Sequence, residues 1–259
     1  MQRRSFQSNG LNLSYLDAGG DGEVLIALHA HWMEASTFED FAKAMAPTWR
    51  LVALDQRGHG NSDHAATYSR EDYIGDILAF IDHLGLSSVV LLGNSLGGVN
   101  AFQFAARFPT RVRALIIEDI EAEVSADLSF TLPWAGTFAT REELVDLIRP
   151  RFLPYLRDSI RQVTDGWRLP FDPRDMMTSQ VSLNGNHWKD WLASDCPALL
   201  LRGASSRLTS ESQMARMASL RTNTRYVTLD GGHVIHLDNP QGFVNEVQVF
   251  LARLGKDGR

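Results

Sequence analysis

A serine hydroxyl acts as a nucleophile only where the backbone presents it and a base removes its proton. The segment Gly93-Asn94-Ser95-Leu96-Gly97-Gly98 meets the first requirement, since it follows the apolar run Val89 to Leu92 and precedes a helix-forming stretch, Val99 to Phe108. Gly-x-Ser-x-Gly between strand and helix holds the serine at a sharp, strained bend. Glycines two residues before and after Ser95 remove side chains that would collide there. The base must come from far along the chain. Of eight histidines, His233 follows the last apolar run, Tyr226 to Leu229, in the loop Asp230-Gly231-Gly232-His233 just before the final helical stretch. His236 is its competitor and is expected to point away from Ser95. The pair also needs a carboxylate, to hold the imidazole in one tautomer and to stabilise its charged form.

These residues need a scaffold that gathers strand ends at one rim. Asn9-Gly10 between two alternating stretches, Arg4 to Gln7 and Leu11 to Leu16, predicts a hairpin and so an antiparallel edge. Beyond it, short apolar runs (Val24 to His29, Leu51 to Leu54, Val89 to Leu92, Leu115 to Ile117, Ala198 to Leu201, Tyr226 to Leu229) predict strands covered on both faces. Helical periodicity lies between and after them, at Ser36 to Ala46, Tyr73 to Leu84, Leu96 to Phe108, Ser210 to Leu220 and Pro240 to Leu254. The fold class is therefore α/β, a mostly parallel, doubly wound sheet with an antiparallel N-terminal edge.

Residues 120–195 interrupt the alternation. They contain no strand-like run, only helix formers such as Arg141 to Ile148 and Phe152 to Val163, and they hold four of the six tryptophans. The expected organisation is a core of residues 1–119 and 196–259 with residues 120–195 inserted as a helical cap. Trp32, Trp134, Phe138, Trp167, Met177 and Trp188 are the candidates for lining an apolar pocket beneath it. The tail Gly255 to Arg259 is expected to fray.

Together these features resemble the α/β-hydrolase fold superfamily over nearly the whole chain. The resemblance rests on the serine turn, the Asp55-Gln56-Arg57-Gly58-His59-Gly60-Asn61-Ser62-Asp63 loop, the Gly232-His233 pair, and the run Ala198 to Arg202 followed by Gly203. It implies a catalytic acid in the loop after that last strand, yet Ala204-Ser205-Ser206-Arg207-Leu208-Thr209 holds no carboxylate. Some members carry the acid after the strand that follows the nucleophile helix, which here ends Ile116-Ile117-Glu118-Asp119. Asp119 is the expected acid and Glu118 the second choice, because alternation along a strand forbids both from facing one histidine. Glu211, in the first turn of a predicted helix, is assigned to that helix's N-terminus. The oxyanion donors are the backbone N–H groups of Leu96 and, in the loop His29-Ala30-His31-Trp32, of His31. Similar proteins usually have His-Gly there, so Ala30 is a departure.

Composition narrows the rest. The chain has 259 residues, 44% apolar and 22% charged, with a net charge of -6. Basic residues are scattered, which argues against nucleic acid as a partner. A lone Cys196 excludes an internal disulfide and reads as a small buried residue. No secretory leader and no apolar run of about 18 residues is present, so no membrane association and a cytoplasmic location are expected. No metal is expected, since the spacing of Asp55, His59, Asp63 and His64 matches no ligand motif. The reading is a cofactor-free serine hydrolase, monomer or homodimer, acting on a carboxylic ester or lactone of a small to medium apolar substrate. Carbon-carbon cleavage of a ring-cleavage diketone and a ligand receptor retaining the triad are the alternatives. Reactions that use an aspartate nucleophile on this fold, dehalogenation and epoxide hydrolysis, are disfavoured by serine at position 95.

Overall fold

The computed structural model describes residues 1–156 and 159–254. Asn9 and Gly10 both take positive φ, 49° and 84°, the turn geometry that matches strand twist. They join β1 (Gln2–Ser8) to an antiparallel β2 (Leu11–Asp17). The chain then alternates through β3 (Glu23–Leu28), α1 (Glu39–Met45), β4 (Trp49–Leu54), α2 (Arg70–His83), β5 (Val89–Asn94), α3 (Leu96–Arg107) and β6 (Val112–Glu118). An insert follows, with β7 (Glu123–Val124), α4 (Arg141–Leu147), α5 (Leu153–Leu156), β8 (Arg161–Val163), β9 (Gly166–Arg168), α6 (Pro173–Leu183), β10 (Gly185–Asn186) and α7 (Trp188–Trp191). The core resumes with β11 (Ala198–Gly203), α8 (Glu211–Leu220), β12 (Thr224–Leu229), α9 (Ile235–Asp238) and α10 (Pro240–Leu254).

Eight strands make one sheet in the order β1-β2-β4-β3-β5-β6-β11-β12, antiparallel at β1 and β2 and parallel from β4 onward. This is the expected mostly parallel, doubly wound sheet. Side-chain alternation divides its interior into two layers. Ile26, Leu28, Leu91 and Ile117 pack with Ile77, Phe80 and Phe102 of α2 and α3, while Leu25, Ala27, Leu92 and Ile116 pack with Phe41, Phe243 and Val247 of α1 and α10. β5 is buried along its whole length, which explains why it reads as a continuous apolar run. It pairs with β3, and β3 with β4, so strand order reverses at the β3/β5 border. The C-terminal ends of strands flanking such a reversal are where open α/β sheets bind ligands.

The insert departs from expectation in its local structure. It is not wholly helical: β7 pairs with β10, and β8 with β9, each antiparallel. Strands of two or three residues are too short to show a periodicity. The hairpin of β8 and β9 did carry a signal, Asp165-Gly166. It replaces the far end of the expected helix over Phe152 to Val163, of which Leu153–Leu156 is α-helical; residues 157 and 158 lie outside the described residues. The tail 255–259 also lies outside them. The insert has its own apolar cluster, including Leu128, Trp134, Leu144, Ile148 and Met176. Among the described residues no helix is long and apolar enough to cross a membrane.

Candidate active site

β5 ends at Asn94, and α3 starts at Leu96. Between them Ser95 has φ 53° and ψ -114°, a region costly for a residue with a Cβ and tolerated where surrounding structure imposes it. The glycines are required by close approach. A Cβ on Gly93 would lie 2.2 Å from the Gly97 carbonyl oxygen, and one on Gly97 2.1 Å from that of Leu28. The Ser95 N–H donates to the Glu118 carbonyl at 3.1 Å, and the Ser95 carbonyl accepts from Gly98 and Val99, so the bend is bonded on both sides.

Asp119 follows β6 at another positive φ, 49°, and is fully buried. Its Oδ2 lies 2.7 Å from His233 Nδ1 and accepts from Ser206 Oγ at 2.5 Å. Its Oδ1 accepts from the Gly203 N–H at 2.9 Å and Thr209 Oγ1 at 2.8 Å. The loop that lacks a carboxylate thus supplies two donors, and the end of β11 a third, to one brought from β6. With Nδ1 facing the carboxylate, the ring proton belongs on Nδ1, which leaves the Nε2 lone pair free to act as a base. His233 remains 20% exposed at its side chain. Asn94, beside Ser95, ties the loops together, its Nδ2 donating to the His233 carbonyl at 3.0 Å and to that of Glu118 at 3.2 Å. Among the described residues the Ser95 hydroxyl itself makes no hydrogen bond.

The neighbouring carboxylate goes elsewhere. Glu118 accepts from the His236 N–H at 2.9 Å and lies 2.8 and 3.0 Å from His236 Nδ1. His236 Nε2 meets Thr37 Oγ1 at 2.8 Å, and its ring stacks on Phe38 with centroids 4.6 Å apart. Adjacent carboxylates and nearby histidines therefore sort into two separate pairs. No local signal in the sequence marks the partnership of His236 with Thr37, residues 199 apart along the chain. Glu211 opens α8, whose N-cap is Ser210.

Leu96, as first residue of α3, has no preceding carbonyl within the helix to bond its N–H. The loop 29–32 turns tightly, with Trp32 at φ 69° and the Met33 N–H donating to Ala30 at 3.3 Å. The His31 side chain is buried, with Nε2 2.8 Å from Ser179 Oγ, and Ser179 in turn lies 2.7 Å from Tyr73 OH. This imidazole links the loop to α6 of the insert. Burial holds His29 down at about 4 and keeps His31 and His59 well below the usual histidine value, so all three are neutral at pH 7. In the Asp55 to Asp63 loop, Asp55 accepts from the Ala35 and Asn61 N–H groups and pairs with Arg3, while Arg57 pairs with Asp76. Cys196 is only partly buried and contacts Arg221.

The aromatic candidates fall into two places. Trp32, Trp134, Phe138, Trp167 and Met177 share the insert's apolar cluster. Trp32 packs edge-on to Trp134 (6.0 Å), Phe130 (5.8 Å) and Phe152 (5.2 Å). Trp134 is fully buried, its indole N–H donating to the Leu147 carbonyl, which makes it a core residue of the insert. Trp188 stands apart and corrects the expectation for that residue. Its indole N–H donates to Glu123, Arg216 covers its ring at 4.6 Å, and it packs on the sheet's α2/α3 layer, because α7 lies against α3. A crevice of about 540 Å³ borders the His233 loop, with Met33, Thr37, Tyr155, Leu237 and Asp238 in its walls. Neither Ser95 nor His233 lines it. Among the described residues no three His, Cys, Asp or Glu side chains gather as metal ligands.

A model described as the alpha/beta hydrolase family matches residues 24–247. The chain is 27% identical over 248 residues to 2-(acetamidomethylene)succinate hydrolase of Mesorhizobium japonicum, covering 90% of this chain and 89% of that protein. It is 26% identical over 278 residues to sn-1-specific diacylglycerol lipase ABHD11 of Mus musculus, covering 96% and 90%. Among solved structures, that of E-2-(acetamidomethylene)succinate hydrolase superposes with a TM-score of 0.88 at 22% identity over 97% of this chain and 99% of that one.

Proposed function

The chain belongs to the alpha/beta hydrolase family, and from that premise we propose that it is a serine hydrolase cleaving a carboxylic ester or lactone of a small to medium apolar substrate. The observation that carries this reading is the 2.7 Å contact between Asp119 and His233 Nδ1, on a loop bonded through Asn94 to the bend that bears Ser95. His233 Nε2 takes the Ser95 proton as the oxygen attacks the acyl carbon. The Leu96 and His31 N–H groups stabilise the oxyanion, and removing one such donor is expected to cost roughly 10² to 10³ in turnover. His233 then returns the proton to the leaving alcohol, and water repeats the sequence to release the acid. Asp119 stays charged throughout and steadies the imidazolium. Residues 120–195 act as a cap, whose aromatic cluster around Trp32 favours apolar acyl or alcohol groups and keeps bulk water from the acyl-enzyme.

The test is fluorophosphonate labelling together with a panel of short and medium esters, lactones and ring-cleavage diketones. Wild type is expected to label at Ser95 and to turn over esters or lactones repeatedly, and Ser95→Ala to do neither while keeping its thermal midpoint. Labelling that persists in Ser95→Ala would remove that residue from the mechanism. Faster diketone cleavage than any ester would reassign the reaction to a carbon-carbon bond, and a single turnover per chain would indicate a ligand receptor.

A further inference from the structure

We propose that Glu118 and His236 are a positioning pair, locking the loop that carries His233 in register with Ser95 and Asp119. The inference rests on the serine-hydrolase reading. Three segments of the proposed machinery meet at this one buried imidazole. The first is the end of β6. The Glu118 carbonyl accepts from the Ser95 N–H at 3.1 Å and from Asn94 Nδ2 at 3.2 Å, while its carboxylate takes the His236 N–H at 2.9 Å and Nδ1 at 2.8 Å. Glu118 therefore fixes the elbow through its main chain and the histidine loop through its side chain. The second segment is that loop, in which His236 lies three residues after His233, in the first turn of α9. The third begins at the proposed oxyanion donor His31 and runs to the turn Ala35–Phe38, where Thr37 Oγ1 lies 2.8 Å from His236 Nε2.

The hydrogen-bond directions close without a spare group. Nδ1–H donates to Glu118, Nε2 accepts from the Thr37 hydroxyl, and Phe38 and Phe243 pin the ring plane at centroid distances of 4.6 and 5.8 Å. Glu118 and Asp119 are consecutive, so tilting the histidine loop about one carboxylate changes the imidazole's aim at the other. Productive geometry tolerates shifts of only about 0.5 Å. A substrate contact is not involved, so the effect belongs on the chemical step and not on binding.

The experiment measures kcat, KM and the far-downfield proton resonance of His233 Nδ1–H, identified by its loss in His233→Gln, across Glu118→Gln, His236→Gln, Thr37→Val and Thr37→Ser. Expected is a 10- to 100-fold fall in kcat for the first two with KM within about twofold, and a shifted or broadened resonance. Thr37→Val should lose about threefold in kcat, and Thr37→Ser should restore it by keeping the hydroxyl. Folded variants with wild-type kcat and an unmoved resonance would overturn the proposal, as would losses confined to KM. If the two buried variants do not fold, the Thr37 pair decides by the same readouts. Absence of fluorophosphonate labelling in the wild type would sink the hydrolase reading alone, because the resonance still reports whether Thr37 and His236 set the Asp119 to His233 contact.

Discussion

Asp119 with His233 and Glu118 with His236 are the same chemical pair built twice from adjacent and near-adjacent residues. Both join Nδ1 to a fully buried carboxylate at 2.7 to 2.8 Å. They differ at the other nitrogen. His233 keeps 20% of its side chain exposed, whereas the His236 ring is 1% exposed, bonded to Thr37 and covered by Phe38. A carboxylate and an imidazole do not by themselves make a base. What matters is whether Nε2 faces a reactive group or is already satisfied.

The sharpest way to break this contrast is a parallel substitution of the two acids. Asp119→Asn and Glu118→Gln each disturb buried hydrogen bonds, and each is expected to cost about 1 to 3 kcal/mol of stability. Only Asp119→Asn should also lose turnover by about 10⁴, against the 10- to 100-fold expected for Glu118→Gln. Equal losses of turnover would erase the distinction. Steady-state kinetics and chemical denaturation on the same preparations read both quantities.

A third group of imidazoles, His29, His31 and His59, sharpens the comparison because burial leaves them neutral with no carboxylate partner. Between pH 6.5 and about 4 the unfolded chain takes up protons at these rings that the folded chain refuses. Stability should therefore fall as pH drops through that window, by on the order of 3 kcal/mol for His29 alone. Denaturation midpoints at several pH values check this, and a flat profile over the window would contradict it.

A smaller effect than either of these probes how Asp119 is held. Thr209→Val removes one of its four donors and should lower turnover roughly tenfold, the equivalent of one hydrogen bond to a charged group. A variant as active as wild type would mean that Gly203, Ser206 and His233 suffice to orient the carboxylate.

Much of the scaffold is legible along the chain because its signals are local. The Asn9-Gly10 hairpin, the continuous apolar run of β5 and the glycines around Ser95 each follow from steric or burial demands over a few residues. The insert is less legible. Its strands are too short to declare a period, and Trp188 looks like any other cap aromatic until α7 is seen lying on α3. Sequence distance also hides the role of residues 203–209, which contain no acid and instead donate to one.

From order and spacing alone, a serine at a strand-to-helix bend and a histidine after the last strand follow, since the sheet's winding returns both to one rim. Alternation along a strand and position after the last strand also favour Asp119 over Glu118 and His233 over His236, but the pairing of Glu118 with His236, and of His236 with Thr37, is visible only in the folded chain. Each of those pairings depends on which side of β6 a carboxylate leaves and on how one short turn is rotated. The positive φ of Asp119 is one that aspartate tolerates locally, but the groups that hold its carboxylate, on Gly203, Ser206, Thr209 and His233, come from more than eighty residues away.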